Sequence, residues 1–262
     1  MLDQILANAP LYLLIAVRAL AMIEVAPLIS SDSIPQVAKV ALAGFAAFAV
    51  FPQAAPIELP QEVFNLTYLL LVIGEAFIGI IIGFYLTIIY SAFSSAGQFF
   101  SLQMGFGASE TYDPLAQIEN PLMGQYLNLI GMLVFLSVDG FQQLFLGGFQ
   151  RSVQSFNVVT LLTARDGLLT LLLQGLSQLF IDALVISMPI LGTLFLVSLT
   201  MGLLSKAAPQ MNLLTEGFPI SITVAFVLIL ATMPFLVESF AYVINNGFNV
   251  IEKLIASMGR QL

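Results

Sequence analysis

Long apolar runs separated by short polar, proline-bearing patches dominate this chain. A helix crosses a hydrocarbon core ~30 Å thick in ~20 residues, and each run can be measured against that length. The first, Pro10 to Ile29, closes at the polar patch Ser30, Ser31, Asp32 and Ser33. Pro35 then opens a second helix through about Phe51, because proline is well tolerated at an early helical position. Pro52 to Pro60 carries three prolines and reads as a loop. From Gln61 to about Met104 there is no proline and no turn cluster, which predicts a helix of ~40 residues and ~60 Å. Such a helix is about twice a bilayer span, so it either projects from the membrane or breaks near Ser94, Ser95 and Gly97. Gly105 to Pro121 is polar and glycine-bearing and reads as a loop. A fourth run covers Leu122 to Leu146 with Asp139 inside it, and Gly147 to Asp166 is a mixed connection. A fifth, Gly167 to Leu204, contains Asp182 and Pro189 and predicts one kinked long helix. Ser205 to Gly217 reads as a polar turn with Lys206, Pro209, Asn212 and Glu216. The last run, Phe218 to about Val250, carries Pro219, Pro234 and Glu238 and ends in a short, mildly amphipathic tail. The pattern predicts an all-α integral membrane protein of about six helices in one unit, some longer than a bilayer span.

Composition sharpens this. Of 262 residues, 59% are apolar and only 8% charged, against roughly 25% charged in soluble domains; the mean hydropathy is +1.01. So little charge cannot cover a water-facing surface. With no His and no Cys, triads with a His base, common zinc and haem sites and disulfides are excluded, and neither metal nor cofactor is expected. A formal charge of -8 argues against nucleic acid, whose phosphates need clustered Lys and Arg. No phosphate-binding GxxxxGK[ST] loop is present. The first apolar run does not read as a secretory signal, since Asp3 replaces the basic n-region and Arg18 and Glu24 interrupt the run itself. Seven scattered basic residues do not decide membrane orientation.

Arg18, Glu24, Glu75, Asp139, Asp182 and Glu238 lie in or beside apolar runs. A charge at bilayer centre costs ~2.5–3.5 kcal/mol on insertion scales, so it faces protein or a water-filled path. Arg18 and Glu24 are six apart and share no helix face, so each needs a partner elsewhere. Pairing is one reading; a proton relay through Glu75, Asp139 and Asp182, as in a secondary transporter, is the other, although no internal repeat supports it. An intramembrane enzyme lacks any nucleophile–base pair. Gly79 and Gly83 make a GxxxG step suited to close helix contact.

Four blocks then stand in order. They are Ala26-Pro-Leu-Ile-Ser-Ser-Asp-Ser-Ile-Pro35 with Lys39 after it, Leu102-Gln-Met-Gly105, Tyr112-Asp-Pro114, and Gly202-Leu-Leu-Ser-Lys-Ala-Ala-Pro-Gln-Met-Asn212 with Gly217-Phe-Pro219 after it. Together they resemble the FliR family of flagellar export-gate proteins over nearly the whole chain. Two departures are Ala108-Ser-Glu-Thr111, where the family often has Phe-Ala-x-Phe, and Asp139-Gly-Phe141, where it often has Asn-Gly-His.

The resemblance implies a non-enzymatic pore subunit in the bacterial inner membrane, in the flagellar basal body, that gates exported flagellar proteins. It implies FliP-like, FliQ-like and FlhB-like partners, with much of the complex above the bilayer plane. Residues 1–150 would be FliP-like and include a plug at about 105–122; residues 167–262 would form a FliQ-like hairpin and tail. On this reading Met104, Gly105, Phe106, Gly107, Tyr112, Asp113 and Pro114 belong to the plug. Met104 and Phe106 would seal it, the glycines would let it turn tightly, and Pro114 would stiffen its exit. Lys206, Pro209, Gln210, Asn212, Gly217 and Pro219 would form a hairpin turn facing the FlhB-like subunit. The equivalent subunit of a virulence secretion system is the nearest alternative.

Overall fold

A computed structural model describes residues 8–31, 33–54, 65–105, 122–155, 158, 165–208 and 213–259. These residues form seven helices: α1 (Ala9–Val25), α2 (Gln36–Val50), α3 (Leu66–Met104), α4 (Leu122–Ser137), α5 (Gly140–Ser155), α6 (Arg165–Ala207) and α7 (Leu213–Gly259). A 3-10 turn, Phe51–Gln53, comes after α2, and Gln143–Gln150 within α5 is wound as π-helix. No strand occurs among the described residues. Four stretches are long and apolar enough to cross a membrane, five if α4 and α5 count as one broken span. The protein is an all-α integral membrane protein.

The boundaries differ from the expected ones where backbone chemistry intervenes. Helix α1 stops at Val25, short of Ile29, because Ala26 precedes Pro27 and is extended, a geometry that a following proline favours; Leu28 then takes φ 76°. Of the two alternatives for the third run, a break near Ser94 does not occur, and α3 runs 39 residues without interruption. The fourth run is not continuous: it breaks at Asp139, which has φ 55°, so this carboxylate stands at a helix junction and not inside a helix. Gly147 to Ser155, expected as a connection, is helical. The turn expected over Ser205 to Gly217 is narrower, since α6 continues to Ala207 and α7 begins at Leu213. Lys206, Gly217 and Pro219 are therefore helical residues. Pro189, Pro219 and Pro234 sit inside helices, which membrane helices tolerate when neighbouring groups satisfy the freed backbone.

The chain packs as two compact units drawn from interleaved segments. The first comprises the described parts of Met1–Ile89, Asp139–Gly175 and Ile244–Leu262, the second Tyr90–Val138 and Leu176–Val243. In the first unit α1 and α2 form an antiparallel hairpin, with the Tyr12 hydroxyl donating to the Gly44 carbonyl at 3.1 Å and Lys39 paired with Glu24 at 3.2 Å. The N-terminal half of α3 runs parallel to α1: Tyr68 donates to the Pro10 carbonyl at 2.9 Å, and Thr87 donates to the Val25 carbonyl at 3.0 Å. In the second unit the C-terminal half of α3 lies antiparallel to α4. Tyr90 and Phe93 cluster edge-on with a centroid distance of 5.6 Å, and Phe93 stacks on Phe240 at 4.2 Å.

Candidate functional site

Three features of the sequence lead to particular places in the fold: the buried charges, the small-residue steps and the segment after α3. The charges come first, because a buried ion is costly unless it is paired and hydrogen-bonded. Arg18 and Glu75 are 57 positions apart in sequence, yet Arg18 Nε donates to Glu75 Oε2 at 2.6 Å, and both side chains are 2% exposed. Arg18 Nη1 also donates to Ser152 Oγ at 3.2 Å, and Ser152 in turn donates to the Phe149 carbonyl at 2.7 Å. One guanidinium thereby ties α1 to α3 and to α5. Its planar fork suits this role, because several donors leave it in fixed directions. Glu75 Oε1 is buried without a hydrogen-bond partner. Glu24 accepts from Lys39 Nζ and from Gln36 Nε2, the latter at 2.6 Å. Each of Arg18 and Glu24 therefore meets its partner on another helix. Asp182 accepts from Gln178 Nε2 at 2.8 Å within its own helix.

The glycines allow the helices to come this close. A Cβ on Gly79 would collide with the Arg18 carbonyl oxygen, and one on Gly83 would come within 2.8 Å of the Met22 carbonyl oxygen. The GxxxG face of α3 is thus pressed against the backbone of α1. The second unit has an equivalent contact that was not expected from the sequence. A Cβ on Gly97 would run into Gly124, and one on Gly131 into the Phe93 ring. The only signal for it is the set of small residues in α4, whose partner in α3 cannot be inferred from spacing.

The end of α3 is the third place. Ser101 is buried and its Oγ lacks a partner, while Gln103 donates to Ser198 Oγ on α6 at 3.4 Å. Met104 is fully buried. Gly105 has φ +93°, a left-handed conformation that glycine adopts without steric cost, and its N–H closes onto the Leu102 carbonyl at 3.2 Å. A Cβ there would strike the ring of Phe218 in α7. The chain therefore leaves α3 in a set direction, against the first turns of α7. Of the remaining plug residues, Phe106, Gly107, Tyr112, Asp113 and Pro114 lie outside the described residues, as do Pro209, Gln210 and Asn212 of the hairpin turn. Lys206 is exposed at the end of α6. Among the described residues no cluster of His, Cys, Asp and Glu could hold a metal.

The fold defines an all-α integral membrane protein, with Arg18–Glu75 and Lys39–Glu24 paired inside its first unit and several helices longer than a bilayer span. Residues 9–247 match the family described as bacterial export proteins, family 1, and the chain belongs to that family. It is 28% identical to the flagellar biosynthetic protein FliR of Escherichia coli (strain K12), over 98% of this chain and 97% of that one. It is 27% identical to FliR of Bacillus subtilis (strain 168), over 98% and 99%. It is 33% identical to FliR of Borreliella burgdorferi, over 75% and 74%.

Proposed function

We propose that this chain is a pore-forming and gating subunit of the flagellar type III protein export apparatus, needed for export of flagellar axial proteins. The observation that carries this reading is similarity to FliR proteins along essentially the whole chain, over helices built to cross a membrane. FliP-like, FliQ-like and FlhB-like subunits surround it in the bacterial cytoplasmic membrane, and it performs no catalysis. Residues 1–150 form the FliP-like part and residues 167–262 the FliQ-like hairpin. The segment at about 105–122 plugs the pore. Met104 serves this plug as a buried anchor, Gly105 as the turn that launches it and Phe106 as its apolar seal. The exposed Lys206, beside the turn, faces the FlhB-like subunit.

The relay alternative fits less well. Glu75 is engaged with Arg18, Asp139 sits at a helix break, and Asp182 is bonded to Gln178. The test is deletion of residues 106–118 in the assembled complex, with ion conductance across the membrane as the readout. The deletion should raise the leak while the complex still co-purifies; unchanged conductance would remove the plug assignment.

A further inference from the structure

The connection from α1 to α2 holds two features that each oppose folding. Leu28 has φ 76°. A branched L side chain in this left-handed region crowds the following carbonyl, and the conformation persists only where its surroundings enforce it. Lys39 is 4% exposed and lies in the first turn of α2, where a cation meets the positive end of the helix dipole. A burial and a position that both disfavour an ammonium call for a specific contact.

That contact is with the connection itself. Lys39 Nζ donates to the Ser30 carbonyl at 3.0 Å and to Glu24 Oε2 at 3.2 Å. An ammonium with three donors can hold a carbonyl and a carboxylate together. Glu24 is steadied in turn by Gln36 Nε2 at 2.6 Å. On the other side of Leu28, the Thr87 hydroxyl of α3 donates to the Val25 carbonyl at 3.0 Å, sharing its hydrogen with the Gly83 carbonyl at 3.1 Å. This satisfies a carbonyl at the end of α1, where intrahelical partners have run out. Between the two held carbonyls the path has little freedom. Ala26 is extended, Pro27 has its φ fixed by its ring, and the Ser30 N–H closes onto the Ala26 carbonyl at 3.0 Å. A Cβ on Gly83 would stand 3.1 Å from the Ala26 nitrogen, so α3 presses on the same stretch. The reversal falls to Leu28.

We infer that the α1–α2 connection is a strained strap, held closed by two side-chain clamps. Lys39 clamps the Ser30 carbonyl and Thr87 clamps the Val25 carbonyl; both are positioning residues. Leu28 stores the strain between them. Releasing either clamp frees a carbonyl, lets Leu28 leave the left-handed region, and opens the strap ahead of the helices that it joins. The inference does not depend on the gating role.

Hydrogen exchange of the peptide covering residues 26–35 tests it, in the full chain purified in detergent with its accompanying subunits. Thr87→Val keeps the shape of the side chain and removes the hydroxyl; it should speed exchange of this peptide by roughly tenfold, the ratio that one strained residue is worth. Thr87→Ser should keep the parent rate. Lys39→Met should speed exchange by at least as much as Thr87→Val. Adding Leu28→Gly to either should bring the rate back toward the parent, because glycine holds a left-handed conformation without strain and the strap no longer needs its clamp. Parent-like exchange in both Thr87→Val and Lys39→Met overturns the inference. So does a Leu28→Gly double variant that exchanges as fast as its single clamp variant, since the clamps would then hold no strain at Leu28. Should Lys39→Met fail to fold, Thr87→Val with and without Leu28→Gly decides the matter by itself.

Discussion

Removing one partner of the Arg18–Glu75 pair should destabilise the protein far more than removing both. Each side chain is 2% exposed, so water does not screen the interaction and the weak values typical of surface pairs do not apply. In Glu75→Leu, Arg18 keeps its bond to Ser152 Oγ but loses the ion pair with Glu75. Breaking a buried pair in this way costs about 3–5 kcal/mol, a large share of the roughly 5–15 kcal/mol that stabilises a folded domain. Arg18→Met leaves Glu75 charged with both carboxylate oxygens unpartnered, since Oε1 already lacks a hydrogen bond, and should cost a similar amount. The double variant Arg18→Met/Glu75→Leu removes both charges and fills the space with apolar atoms, and it should lie within about 1–2 kcal/mol of the parent. The coupling read from the double-mutant cycle is then at least about 4 kcal/mol. Unfolding of the detergent-solubilised complex, tracked by loss of co-purification on heating or on titration with a denaturing detergent, measures it. If the single variants were as stable as the parent, or if their losses simply added in the double variant, the pair would not be a buried, coupled unit.

Two further outcomes rest on close backbone contacts. Gly79→Leu should separate α1 from α3, because even a Cβ there collides with the Arg18 carbonyl; recovery of folded chain should fall sharply, while Ile80→Leu on the exposed face of the same helix should have little effect. Gly105→Ala combines a left-handed backbone with a collision against Phe218 and should cost about 1–3 kcal/mol, read as a lower midpoint in the same unfolding assay; an unchanged midpoint would mean that the exit from α3 adopts another path.

Much of the architecture was legible in the order of residues. Apolar runs of bilayer length, punctuated by prolines, located nearly every helix, because burial in hydrocarbon demands uninterrupted backbone hydrogen bonding and apolar side chains together. The step Gly79–Gly83 signalled a close helix contact for the same local reason. Low charge meant that any Arg or Glu in a run would need a partner, and the order of four short blocks pointed to the export-gate family.

Which groups meet was not legible. Arg18 finds Glu75 57 positions away and Ser152 134 positions away, contacts set by how three helices pack and not by any spacing along the chain. The break at Asp139 depends on a left-handed residue that hydropathy does not register, and the π-wound stretch after it converts an expected connection into helix. The full burial of Met104 likewise could not be read from its position between an apolar run and a polar segment. Sequence alone determined that this chain lives in a membrane as a set of long helices, because solvent preference is local and additive. Only the tertiary structure decided which charge neutralises which, where glycine must stand, and which helix faces stay exposed, because those depend on simultaneous contacts among segments far apart in the chain.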